Sequence, residues 1–135
     1  MNYIIIATAL LPVIILIVHI LLKDKKSPEP VGQLIKAFAF GILSIPISLC
    51  ISLPLSALFD INTSSIIGSI LNSFLGAAIP EEIAKLFMLW LLLRKNKYFD
   101  EKMDGIVYAV CVSLGFASVE NILYLFNNYD SFISV

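Results

Sequence analysis

Apolar residues fall into four long blocks separated by short polar stretches. Tyr3 to Leu22 is apolar apart from His19 and a few small or polar residues, and Lys23-Asp24-Lys25-Lys26 ends it. A polar link, Ser27 to Pro30, leads to a second block from about Leu34 to Phe59. Asp60-Ile61-Asn62-Thr63-Ser64 reads as a short turn. The third block covers Ile66 to Leu93 and closes at Arg94-Lys95-Asn96-Lys97. After an acidic segment, Tyr98 to Asp104, the fourth covers about Gly105 to Phe126 and ends in Asn127-Asn128. About 20 apolar residues in a helix span a bilayer core, and no block alternates as a strand would. The pattern predicts an all-α membrane protein with one domain of about four transmembrane helices, over 3–22, 34–59, 66–93 and 105–126. Pro46, Pro54 and Pro80 are expected to kink these helices, because each removes a backbone donor and crowds the preceding turn.

Composition narrows the class. Of 135 residues, 59% are hydrophobic and only 14% charged, against about 25% charged in soluble domains. That excludes a disordered chain, and a net charge of -1 leaves no basic patch for nucleic acid. No Lys or Arg precedes the first block and no small-x-small site follows it, so it makes a poor cleavable signal peptide. Cys50 and Cys111 lie inside apolar blocks and have no zinc spacing.

Orientation follows from the basic residues of the short loops. Lys23, Lys25 and Lys26 occupy one loop, and Arg94, Lys95, Lys97 and Lys102 the other; the two chain ends and the 60–65 turn hold none. Both basic loops are therefore expected in the cytoplasm, with the N-terminus outside, in a bacterial cytoplasmic membrane. Trp90 and Tyr98 then fall at the inner interface, and Tyr3 and Tyr129 at the outer one.

Four ionisable residues remain deep in the apolar blocks: Glu81, Glu82 and Lys85 in the third and Glu120 in the fourth. A charge at a helix centre costs about 2.5–3.5 kcal/mol on insertion scales, so the four should face one another or a wet cavity. Glu81 is 13 residues before Arg94 and Glu120 is 16 after Asp104. At 1.5 Å per residue these are about 20 Å and 24 Å from the same surface, so antiparallel helices bring them to similar depth. Lys85 can pair with either Glu81 or Glu82. One cation among three carboxylates leaves two excess negative charges, so either a carboxyl carries a proton or a cation binds. A carboxyl pair split into acid and base suits general acid–base chemistry. Ser69, Ser73, Ala77 and Glu81 share one face of the third helix, and Ser113, Ala117, Glu120 and Tyr124 one face of the fourth. These small residues are expected to form a close interface. Pro80 denies the Gly76 carbonyl its helical donor and should loosen the turn before Glu81.

The residues leave few intramembrane chemistries. One His rules out His-Glu-x-x-His, His19 lies too near the end of its helix to serve a midplane serine, and no intramembrane Asp pair exists. Three stretches then resemble the motifs of the PrsW family of intramembrane proteases. Glu81-Glu82-Ile83-Ala84-Lys85 is similar to EExxK, Phe99 to Tyr108 to FDExxDGxxY, and Gly115 to Asn121 to GFAxxEN. The related CAAX-protease superfamily typically has EExxxR, whereas position 86 here is Leu.

The resemblance implies a protease of a membrane-anchored protein, such as an anti-sigma factor, within the lipid bilayer. It makes Glu81, Glu82 and Glu120 the candidate catalytic residues. One carboxylate would activate water and another protonate the leaving amine. Lys85, Asn121, Asp104 and Asp100 would support them, with Asn121 a candidate oxyanion donor. No cofactor is expected from the residues, and the choice between a glutamic and a divalent-metal mechanism stays open, as does the oligomeric state. The family also carries a later helix with a functional His that this sequence lacks, so the chain is expected to be an N-terminal part or truncated copy, inactive alone.

Plainer roles stand beside these. Glu81, Glu82 and Lys85 could form a structural ion pair, and Glu120 and Asn121 could bond across to Lys85. Asp100, Glu101 and Asp104 could cap the fourth helix. Gly105 and Gly115 read as close-packing positions, His19 as interfacial, and the cysteines as core. Two other functions fit the same residues: a small proton-coupled transporter using the carboxylates, and a non-catalytic membrane protein.

Overall fold

A computed structural model describes residues 3–23, 28–58 and 65–127. The expected turn at 60–64, the Lys25-Lys26 part of the first basic loop and Tyr129 lie outside them. Among the described residues every regular element is helical. Helix α1 is Tyr3–Lys23, α2 is Val31–Leu58, α3 is Ile66–Ser73, α4 is Ile79–Leu93 and α5 is Lys102–Asn127. A π-helical segment, Phe74–Ala78, joins α3 to α4, so the third apolar block is one helical path with a wide turn in its middle. Three of the helices, α1, α2 and α5, are long and apolar enough to cross a membrane.

The helices pack through α2, which lies against α4 and α5, while α1 packs against α5. Glycine sets how close α2 and α5 come. A methyl group built on Gly41 would run into the Val112 carbonyl oxygen, and one built on Gly115 into the Phe38 carbonyl oxygen. Each helix thus places a glycine against the other's backbone, the close approach that small residues allow between membrane helices. Below this crossing, Ala37, Leu92, Tyr108, Cys111 and Val112 form the buried core where α2, α4 and α5 meet.

The expected small-residue interface between the third and fourth blocks is not where the helices meet. Ser69, Ser73, Ala77 and Ser113 are exposed. Helix α3 presents Ile66, Ile67, Ile70 and Leu71 outward. In hydrocarbon such residues need no cover, because lipid tails are as apolar as they are.

The serines of α2 are satisfied locally. Ser44, Ser48, Ser52 and Ser56 of α2 each donate a hydroxyl to the carbonyl three residues earlier. This back-bonding keeps a hydroxyl from facing lipid unpaired. Helix α2 runs as one helix through Pro46 and Pro54. Of the three expected kink positions, only Pro80 adjoins a change of helix type.

Candidate active site

The candidate site starts at the wide turn. Pro80 has no N–H to give the Gly76 carbonyl, its partner in an α-helix. The chain instead opens by one residue, and the Ile79 N–H reaches back five positions to the Phe74 carbonyl. Such π turns are rare and recur at functional sites. The Pro80 ring is fully buried, which pins the turn, and Glu81 and Glu82 follow in the first turn of α4.

Lys85 gathers the charges. Its Nζ lies 2.9 Å from Glu82 Oε1 and 4.0 Å from Glu81 Oε2. It also stands 4.2 Å from the centroid of the buried Phe116 ring of α5. The cation is therefore held between two carboxylates of its own helix and an aromatic face of the next. That contact orients α4 towards α5. Glu81 and Lys85 are the charged groups that act on Glu120 from across the helix pair. Glu81 and Lys85 pair on α4, and Glu120, exposed on α5, lies within their electrostatic reach. Glu82 is more open than Glu81, with 68% of its side chain exposed against 30%.

Glu120 and Asn121 line an open groove of about 370 Å³ with Leu123, Tyr124 and Asn127. The Asn121 amide does not turn to Lys85. Its Nδ2 donates to the Ala9 carbonyl of α1 at 3.1 Å, which ties α1 to α5 beside Glu120.

Asp100 and Asp104 stand elsewhere. Asp104 precedes Glu120 by 16 residues on α5, about 24 Å along the axis. Its Oδ2 accepts the backbone N–H groups of Glu101 at 2.7 Å and Asp100 at 3.0 Å. An acidic side chain in the first turn reaching back to the N-terminal N–H groups is half of a capping box. The capping role read from sequence accounts for Asp104, and Asp100 contributes its backbone to it. Gly105 next door lets the Phe99 ring lie close, 3.3 Å from where a β-carbon would sit. Sequence reasoning passed over Glu29. It is buried, and it accepts a hydrogen bond from the Tyr108 hydroxyl.

Three long apolar helices, with a group of carboxylates and one lysine on α4 and α5, define an integral membrane protein. Residues 29–133 match the family described as "PrsW family intramembrane metalloprotease", and the chain belongs to that family. It is 37% identical to Protease PrsW of Geobacillus kaustophilus over 91% of this chain and 52% of the relative. It is 38% identical to that of Oceanobacillus iheyensis, over 92% of this chain and 55% of the relative. With Protease PrsW of Bacillus subtilis it shares 38% identity over 90% of this chain and 53% of the relative. The chain spans about half the length of these curated relatives. No solved structure matches it.

The family's description names a metal. Among the described residues no three His, Cys, Asp or Glu side chains stand together as a ligand set. His19 is exposed and lies ten residues along α1 from Ala9, the residue that meets Asn121, about 15 Å away by helical rise. The described residues do not by themselves compose a metal centre.

Proposed function

We propose that this chain carries the glutamate centre of an intramembrane endopeptidase that cleaves a membrane-anchored protein, such as an anti-sigma factor. The observation that carries the reading is the pairing of Lys85 with Glu81 and Glu82 just after the π turn at Pro80. Ion-paired to Lys85, Glu82 takes a proton from water as its oxygen attacks the scissile carbonyl carbon. Glu81, beside a second carboxyl, passes a proton to the leaving nitrogen as the carbon–nitrogen bond breaks. The products are a carboxylic acid and an amine, and transfer of the proton from Glu82 back to Glu81 restores the starting state. General acid–base groups of this kind contribute about 10²–10⁴-fold each. The second Asn121 N–H is free of the Ala9 bond and serves the developing oxyanion. The protein sits in the bacterial cytoplasmic membrane with its basic loops inside and its N-terminus outside.

The test is reconstitution of the full-length protein in liposomes with a membrane-anchored substrate. Cleavage that Glu81→Gln and Glu82→Gln each remove supports the reading. Proton flux that depends on the same residues, in the absence of cleavage, overturns it in favour of transport.

A further inference from the structure

The loop that follows α4 brings cations to one small cavity. About 330 Å³ in volume, it lies between the start of α2 and the end of α4. Gln33 and Lys36 of α2 line it with Arg94, Lys95, Lys97 and Tyr98, and the described residues around it include no carboxylate. A cleft lined by charges of one sign focuses their field and draws in the opposite ion. Two of the four cations are held against aromatic rings. The Arg94 guanidinium stands 5.1 Å from the centroid of the Trp90 ring, and Lys36 Nζ 5.8 Å from that of Phe40. Such contacts favour one placement of a flexible charged side chain.

The surface below the cavity says which anion fits. Ile83, Phe87, Trp90 and Arg94 recur at helical spacing, so they share one face of α4. Ile83, Phe87 and Trp90 are each about half exposed. The last two rings stack, with centroids 6.2 Å apart. This apolar strip suits lipid, and it ends at a tryptophan beside basic residues, as spans do at the membrane–water boundary. From Ile83 to Arg94 is 11 residues, about 16 Å of helix at 1.5 Å per residue. Half of a hydrocarbon core is about 15 Å. An acyl chain lying on the strip therefore brings its headgroup phosphate level with Arg94. We propose that the cavity seats the headgroup of an anionic phospholipid, with the phosphate on Arg94 and its neighbouring lysines and one acyl chain along the strip. A guanidinium pairs with two phosphate oxygens at once, and a lysine adds a point charge. Gln33 and Tyr98 supply neutral hydrogen bonds. Because Lys36 belongs to α2 and Arg94 closes α4, the lipid joins the two helices at one end of the bundle.

The test is binding of tritiated phosphatidylglycerol to the full-length protein in a neutral detergent, read by scintillation proximity. Unlabelled phosphatidylglycerol should displace the label, and phosphatidylcholine with the same acyl chains should displace it poorly. Lys36→Gln and Arg94→Gln should each weaken binding about fivefold, the share of one cation near a membrane surface. Lys102→Gln removes a nearby cation that does not line the cavity and should leave binding unchanged. Equal displacement by the two lipids would overturn the proposal. A segment of the full-length protein laid over this face would have the same effect, since no specific binding would then be seen. A loss in Lys102→Gln as large as in Arg94→Gln would replace the seat with a diffuse charge effect. Displacement of the label by millimolar inorganic phosphate would assign the cavity to free phosphate instead of lipid. Cleavage enters none of these readouts, so the inference stands or falls apart from the proposed activity.

Discussion

At the scale of single residues, one cation organises the site. Lys85 touches Glu81, Glu82 and the Phe116 ring, so it both offsets negative charge and fixes how α4 faces α5. Lys85→Met should remove these contacts together. A hydrogen bond to a charged group is worth about 1.5–3 kcal/mol, and a loss of stability of that order is expected in thermal unfolding. Lys85→Arg should recover most of the stability, because the charge and the ring contact persist. The four intramembrane charges were legible in the sequence, since a charged residue deep in an apolar block needs a partner. Glu29 was not. It sits in a short polar link and reads as a loop charge; its burial depends on Tyr108, 79 positions away. Asn121 was only half legible. Its motif was visible, but its bond to Ala9 joins positions 112 apart, and no local pattern encodes that.

At the scale of elements, helix boundaries followed hydrophobic block lengths closely, because hydrocarbon demands complete internal hydrogen bonding and so rewards unbroken helices. Contacts between helices followed less well. Serine and alanine stripes pointed to a meeting of the third and fourth blocks, yet the close crossing is between α2 and α5 at Gly41 and Gly115. A small residue permits approach without choosing the partner. Gly115→Val should therefore force α2 and α5 apart, at about 1–3 kcal/mol or more for overpacking. Gly32→Ala, with nothing within 4 Å of the new methyl, should leave unfolding unchanged or raise its temperature slightly. The loosening expected at Pro80 takes the form of a π turn over Phe74–Ala78. Pro80→Ala restores an N–H and lets the segment tighten into an α-helix. That would rotate Glu81 and Glu82 relative to Glu120, so cleavage should fall while the melting temperature holds or rises.

At the scale of the whole molecule, the charge pattern sorts the chain into two loops with a basic bias and a sparse ionisable interior. A cysteine placed at Lys97 in a protein otherwise free of cysteine should react with a membrane-impermeant reagent only from the cytoplasmic face. Labelling from the outer face would reverse the proposed topology. Family membership rests on a match over residues 29–133, which takes in both the Tyr108–Glu29 hydrogen bond and the candidate glutamate centre. The two sit at opposite ends of α5, and that helix is the physical link between them. Its glycine crossing with α2 holds it in the bundle, and its bond to α1 lies beside Glu120.

The central claim is that paired glutamates of α4, held by Lys85, hydrolyse a peptide bond inside the membrane. The most direct measurement is the cleavage rate of a membrane-anchored substrate by the full-length protein carrying Glu81→Gln or Glu82→Gln. Thermal unfolding would be recorded on the same samples. The account predicts a fall of about 10²–10⁴-fold for each variant with folding intact. Cleavage at the wild-type rate by either well-folded variant would contradict it.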